Sequence, residues 1–126
     1  MPEQPPPPVR ILDIRGRRVV LDSDLARLYE VNTSAFNQAV KRNLHRFPDD
    51  FSFVLTEDEF DSLISQSVIS KPARGGRTKS PRVFTEHGAL MAASILNSDR
   101  AVAMSVYVIR AFIEQREMLA ANAEIL

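Results

Sequence analysis

The segment from Ala101 to Ile113 constrains the fold more than any other part of the chain, because only Ser105 and Arg110 in it are clearly polar. A helix of this composition is apolar nearly all round, so it is either buried at the centre of a domain or keeps one face for a partner. Its longest nearly apolar run, Ala101 to Val108, is far shorter than the roughly 18 residues of a membrane span. The sequence therefore predicts a long, packed C-terminal helix and no membrane span.

Two apolar stripes run along this helix. The first consists of Val102, Val106, Ile109 and Ile113, and the second of Met104, Tyr107, Val108 and Ala111. One stripe is enough for the core of a domain, so we expect the other to form a homodimer through the C-terminal helix. The alternative is a helix that is buried on both sides within the monomer.

Length and composition indicate a single domain. The chain has 126 residues, no cysteine, and 16 basic against 16 acidic side chains. The absence of cysteine excludes disulfides, thiolate metal sites and thiol nucleophiles, and is compatible with a cytoplasmic protein. Residues 1–9 hold five of the eight prolines and are predicted to be a disordered tail outside the fold. Residues 10–118 are predicted to form the domain, and residues 119–126 a helix tail.

The apolar patterns predict an α+β fold in which helix dominates. Apolar runs on either side of Arg15-Gly16-Arg17 predict an N-terminal β-hairpin. Phe51–Leu55 and Val83-Phe84 are predicted short strands, and Thr56-Glu57-Asp58-Glu59 is a capping box that begins a helix. The other helices are expected to follow the possible caps Asp22 or Ser23, Asn32 to Ser34, Thr85, and Ser98 or Asp99.

The two short helices after the hairpin fit the spacing of a helix-turn-helix. With Asp22 as position one, the small Ala26 falls at position five, where the helices approach each other. Val31 and Phe36 supply the apolar residues at positions ten and fifteen. Position nine is usually glycine, because the turn there often requires a positive φ, and this chain has Glu30 instead.

The outer face of the second helix carries amide, hydroxyl and basic side chains. Amide side chains match the edge of adenine, and arginine or lysine that of guanine, while a hydroxyl at a helix start suits a phosphate. The predicted DNA-reading residues are Ser34, Asn37, Gln38, Lys41 and Arg42. The alternative is that they are ordinary solvated residues of a surface helix. The same helix is expected to extend to about Leu44 and to bury it.

Charge is distributed unevenly along the chain. Residues 51–70 contain four acids and no base, whereas residues 71–82 contain five bases and no acid. A basic loop beside a recognition helix can neutralise phosphates or enter the minor groove, and the arginine-rich hairpin adds to the same surface. The predicted phosphate-binding residues are Lys71, Arg74, Arg77, Lys79 and Arg82. If about six phosphates are contacted, the logarithm of the affinity should fall with the logarithm of salt with a slope near minus five.

The chain lacks the motifs of the common enzyme classes. There is no Gly-x-Ser-x-Gly, no phosphate-binding loop and no dinucleotide-binding glycine motif. The two histidines, His45 and His87, are too few for a histidine-rich metal site. We therefore expect no catalytic residues, no metal and no cofactor.

Several motifs, taken in order, are similar to those of one phage domain. They are Ile14–Tyr29, Phe36–Asn43, Arg46–Phe51, Leu55–Glu57, Gly75–Arg77, Phe84–Gly88 and Leu96–Ala101. Over about residues 10–117 the chain resembles the ORF-six-N-terminal domain, which belongs with the KilA-N and Bro-N DNA-binding modules. The resemblance implies the DNA-binding domain of a phage or prophage regulatory, antirepressor-like protein. Glu30 stands where relatives usually have glycine, and His87 where glutamine is common.

Two other functions remain open. The first is a protein-interaction module that binds a phage repressor without contacting DNA, through the acidic helix between Glu57 and Asp61. The net charge of zero fits this module better than it fits a strong DNA binder. The second is a structural fragment of a longer protein.

Overall fold

The structure, a computed structural model, describes residues 5–70 and 80–125 and confirms the α+β fold. The described chain contains four strands and five α-helices. In order they are β1 (Leu12–Ile14), β2 (Arg17–Leu21), α1 (Asp22–Leu28), α2 (Thr33–Arg42), β3 (Ser52–Val54), α3 (Glu57–Ser65), β4 (Arg82–Phe84), α4 (Glu86–Leu96) and α5 (Asp99–Ile125). A 3₁₀ turn, Leu44–Arg46, follows α2. Within the described ranges, none of the helices has the length and apolar content needed to cross a membrane.

The predicted hairpin is confirmed as β1 and β2. Its two turn residues, Arg15 and Gly16, both have positive φ, 57° and 72°. Such a pair makes a type I′ turn, whose twist matches that of the flanking strands. The antiparallel sheet continues in the order β1-β2-β4-β3.

The sheet is packed on both faces, because successive side chains of a strand point in opposite directions. On β2, Val20 joins the larger core, which includes residues of α1, α2, α4 and α5. Val19 and Leu21 join a smaller core that Leu63 of α3 completes. On β4, Val83 belongs to the smaller core and Phe84 to the larger one. The sheet therefore holds α1 and α2 on one face and α3 on the other.

The turn between α1 and α2 has the geometry that position nine of a helix-turn-helix requires. Glu30 adopts a left-handed conformation with φ 57°. The backbone N–H of Val31 donates to the carbonyl of Ala26 at 3.0 Å, and that of Glu30 to the carbonyl of Arg27 at 3.2 Å. These two bonds form a Schellman motif, in which glycine is the usual left-handed residue. A glutamate fills this position here.

The last two helices lie antiparallel, since Arg116 of α5 forms an ion pair with Glu86 at the start of α4. Thr85 caps α4 by accepting from the N–H of Gly88, and Ser98 caps α5 by accepting from the N–H of Ala101. The buried face of α5 consists of Ala101, Ser105, Val108 and Phe112. Only part of this predicted all-round apolar helix is therefore covered by the domain.

Three predictions made from the sequence are wrong in detail. Helix α2 ends at Arg42, and Leu44, which was expected to be buried, is 50% exposed on the 3₁₀ turn. Asp22 is not a capping residue, because α1 begins at Asp22 itself and has no side-chain cap. The segment 5–9 does not lie outside the fold, since the Tyr107 hydroxyl donates to the carbonyl of Pro7 and Val9 packs against the larger core. Residues 1–4 lie outside the described residues.

Candidate nucleic-acid interface

Helix α2 presents one polar face to solvent. Asn32 caps the helix by accepting from the N–H of Ala35 at 2.7 Å, while Phe36 and Val40 are fully buried beneath it. The side chains on the opposite face are exposed: Ser34, Gln38, Lys41 and Arg42. Four of the five residues predicted on this helix therefore share one accessible face, and this set is called the α2 face below.

The basic surface continues past the end of α2. His45 and Arg46, on the 3₁₀ turn, are exposed beside the C-terminus of the helix. None of the ion pairs among the described residues involves Lys41, Arg42 or Arg46. The sequence prediction missed Arg46, although the local run of basic residues Lys41, Arg42, His45 and Arg46 was a usable signal.

Asn37 occupies a different position from the rest of the predicted set. It is half-buried at the side of α2, and its Nδ2 donates to Oδ2 of Asp22 at 2.9 Å. Asn37 was predicted on the outer face of this helix with the other four residues, and it lies at the edge of that face with its side chain half-buried. One of its two amide hydrogens is used inside the fold, and the side chain connects α2 to α1.

Asp22 is the centre of a buried polar cluster. Its side chain is 1% exposed and accepts from the backbone N–H of Ser23 at 2.7 Å as well as from Asn37. The same Oδ2 also accepts from the backbone N–H of Arg82 at 3.3 Å. A buried carboxylate needs several donors to offset its lost hydration. This cluster joins the N-terminus of α1, the side of α2 and the start of β4.

Arg82 lies beside this cluster but has a partner of its own. Its Nη1 donates to the hydroxyl of Ser52 at 3.2 Å across the β3–β4 pair. Its partial burial lowers the pKa of the guanidinium below its ordinary value. Among the predicted phosphate-binding residues, Arg82 falls within the described chain, and the sheet holds it in place.

The other four predicted phosphate-binding residues, Lys71, Arg74, Arg77 and Lys79, lie outside the described residues. The described residues that flank them lie near α1. Ser70, on the N-terminal side, lines a cavity of about 490 Å³ together with Ser23 and Asp24. On the C-terminal side, Arg82 bonds to Asp22. The described residues on both sides of the basic segment 71–79 therefore lie near the N-terminal end of α1, which adjoins α2.

Two arginines of the arginine-rich stretch from Arg10 to Arg18 are engaged in ion pairs within the fold, although both side chains remain exposed. Arg15 makes a two-pronged ion pair with Glu59 of α3, with both N–O distances at 2.8 Å, and its guanidinium lies 4.3 Å from the centre of the Phe53 ring. The hydrogen bond from Arg15, assisted by the backbone N–H of Thr56, lowers the pKa of Glu59 to about 2. Arg10 pairs with Asp24. These two arginines stabilise the fold.

The exposed acids of α3, which are Glu57, Asp58 and Asp61, form a surface on the other side of the sheet from α2. Neither they nor any other group of three His, Asp or Glu residues in the described ranges could hold a metal ion. Both histidines are exposed, and His87 stacks on Phe51 at 5.6 Å between ring centres.

Comparisons with known proteins give one match. The family model described as the ORF6N domain matches residues 9–95, which run from just before the hairpin to the penultimate residue of α4. Neither a curated protein nor a solved structure shows significant similarity to the chain.

Proposed function

The chain belongs to the ORF6N family, a phage-associated domain, and we propose that it is a non-catalytic module that binds duplex DNA through the α2 face. The observation that carries this proposal is the chemistry of that face. Gln38, Lys41 and Arg42 are exposed together, and no ion pair among the described residues involves them.

Each of these side chains suits a different part of DNA. A glutamine can bond the N6 and N7 atoms of adenine, and an arginine the O6 and N7 atoms of guanine. Lysine binds either guanine or a phosphate, and Ser34 near the start of α2 suits a phosphate oxygen. Arg46 extends the cationic surface beyond the helix, so it is a further candidate for phosphate contact.

The second helix of a helix-turn-helix enters the major groove while the first crosses the backbone. The Schellman turn at Glu30 and the buried Ala26 between α1 and α2 support this arrangement. The described residues that flank segment 71–79 lie near the neighbouring end of α1, so we propose that Lys71, Arg74, Arg77 and Lys79 neutralise phosphates beside α2. The biological role that follows is regulation of phage or prophage genes, as in antirepressor-like proteins.

The experiment compares two charge reversals of equal size. Lys41→Glu changes the α2 face, and Arg110→Glu changes an exposed arginine on α5. Both are assayed by fluorescence anisotropy against labelled duplexes from a random-sequence pool. We expect Lys41→Glu to weaken binding about tenfold or more and Arg110→Glu to change it little, because only the first removes a groove contact. Equal effects of the two reversals would contradict the proposal.

The same assay separates DNA binding from repressor binding. A module that binds a repressor through its acidic helix would lose that partner when Asp58 and Asp61 are replaced by lysine, and would bind no duplex at all. If the wild-type chain shows no affinity for the duplex pool at low salt, the interaction module becomes the better account.

A further inference from the structure

Helix α5 has an apolar stripe that the domain leaves uncovered. Val102 is 54% exposed, Val106 49% and Ile113 37%, while Ile109 between them is half-buried. All four are β-branched. They belong to the first of the two stripes, whereas the buried side of the helix holds Ala101, Ser105, Val108 and Phe112.

The spacing of the exposed stripe is that of a coiled-coil seam. The steps from Val102 to Val106, Ile109 and Ile113 are four, three and four residues, which is the a/d pattern of a heptad. The same pattern continues by three residues in each direction, to Asp99 before the stripe and to Arg116 after it. An acid and a base therefore stand at opposite ends of one apolar seam.

We propose that two copies of the chain pair through this seam as an antiparallel, two-fold symmetric helix pair. In the register centred between Tyr107 and Val108, Val106 packs on Ile109 of the second copy, and Val102 on Ile113 of the second copy. Each Asp99 then lies opposite Arg116 of the second copy. The four central layers of the seam are all apolar, and a pair of opposite charges, Asp99 and Arg116, lies at each end.

Charge selects this direction over the parallel one. A parallel pair in register would place Asp99 against Asp99 and Arg116 against Arg116, and like charges at facing positions are destabilising. Among the described residues Asp99 has no ion-pair partner. Arg116 uses its Nη1 in the bond to Glu86, so the other nitrogens of its guanidinium can bind Asp99 of the second copy.

The proposed seam is short, so the dimer should be weak. Two helices that meet over 18 residues bury on the order of 800 Å² in total, below the usual range of stable interfaces. We therefore expect a concentration-dependent equilibrium between monomer and dimer. Sedimentation velocity of the full chain between about 10 µM and about 1 mM should show the dimer fraction rise.

The first test uses the absence of native cysteine, which makes single-cysteine variants unambiguous. In the proposed register residue 102 of one copy lies beside residue 113 of the other, whereas the two residues 102 are about 16 Å apart along the helix axis. A mixture of Val102→Cys and Ile113→Cys should cross-link with a short bismaleimide reagent, and Val102→Cys alone should not. Efficient cross-linking of Val102→Cys to itself would overturn the antiparallel register.

The second test separates the seam from the rest of the helix. Val106→Asp should raise the dimer dissociation constant at least tenfold, while Met118→Asp, at an exposed apolar position off the seam, should leave it unchanged. Asp99→Arg should weaken the dimer, and the double variant Asp99→Arg/Arg116→Asp should restore it. Unchanged far-ultraviolet circular dichroism serves as the folding control. A wild-type chain that stays monomeric at every concentration would overturn the proposal and leave the DNA-binding proposal untouched.

Discussion

The side-chain amide of Asn37 in α2 donates a hydrogen bond from Nδ2 to Oδ2 of the buried Asp22 at 2.9 Å. Asp22 is the first residue of α1, so this bond connects the two helices. The neighbouring Gln38 points to solvent. Two adjacent amides on one helix therefore have separate functions: Asn37 positions the α2 face and Gln38 is part of it.

This difference gives opposite expectations for two alanine variants. Asn37→Ala should lower the free energy of unfolding by about 1–2 kcal/mol, because it leaves the carboxylate of Asp22 with one donor fewer. Gln38→Ala should change stability by less than about 0.5 kcal/mol and lower DNA affinity instead. Urea denaturation and anisotropy measure the two quantities. A stable Asn37→Ala protein with weakened DNA binding would assign Asn37 to base reading after all.

Gly88 is required by a close backbone contact. A Cβ atom at this position would lie 1.9 Å from the carbonyl oxygen of Phe51. Gly88→Ala should therefore destabilise the protein by about 3 kcal/mol or more, since α4 must move away from the β3 connection. Ser94→Ala, at an exposed position of the same helix, is the matched control and should change stability by no more than about 0.5 kcal/mol. Thermal unfolding of both variants decides the matter, and a Gly88→Ala protein as stable as the control would refute it.

The glutamate in the left-handed turn carries conformational strain. Glu30→Gly should raise the free energy of unfolding by about 1 kcal/mol, because glycine adopts a φ of 57° without a Cβ clash. Glu30→Ala keeps the strain and loses only the exposed ion pair with Arg100, so it should be no more stable than the wild type. A glycine variant less stable than the alanine variant would contradict this account of the turn.

The ion pair between Arg15 and Glu59 predicts a dependence of stability on pH. Its carboxylate has a pKa of about 2 in the folded protein against 4.5 ordinarily, so the pair contributes its full stability above about pH 4.5. That contribution is lost as the pH falls from 4.5 towards 2. Carbon-detected NMR titration of Glu59 should give the low pKa directly. In Arg15→Gln the value should rise most of the way back, while the capping N–H of Thr56 keeps it below 4.5.

Local signals in the sequence predicted local structure well. The hairpin turn, the capping box at Thr56 and the cap at Thr85 depend on neighbouring residues, and the structure confirms each. The α2 face was predictable for the same reason, because helical spacing decides which side chains share a face.

Contacts between residues far apart in the chain could not be predicted in the same way. The pairing of Arg15 with Glu59 joins residues 44 positions apart, and nothing near Arg15 in the sequence distinguishes it from Arg17. Asp22 looked like a capping residue because its partners, Asn37 and Arg82, are 15 and 60 positions away. Helical periodicity alone predicted that Leu44 is buried. The α-helix ends before Asn43, however, and the 3₁₀ turn that follows has a different number of residues per turn, so Leu44 no longer lies on the buried face.

The salt dependence of duplex binding tests the central claim most directly. Fluorescence anisotropy gives the dissociation constant of the wild-type chain and a labelled random-sequence duplex at several salt concentrations. With about six phosphates neutralised, the affinity should fall about a thousandfold between 50 mM and 200 mM salt, a logarithmic slope near minus five. A slope of only minus one or minus two would contradict a DNA interface built from the α2 face and the proposed phosphate contacts of segment 71–79.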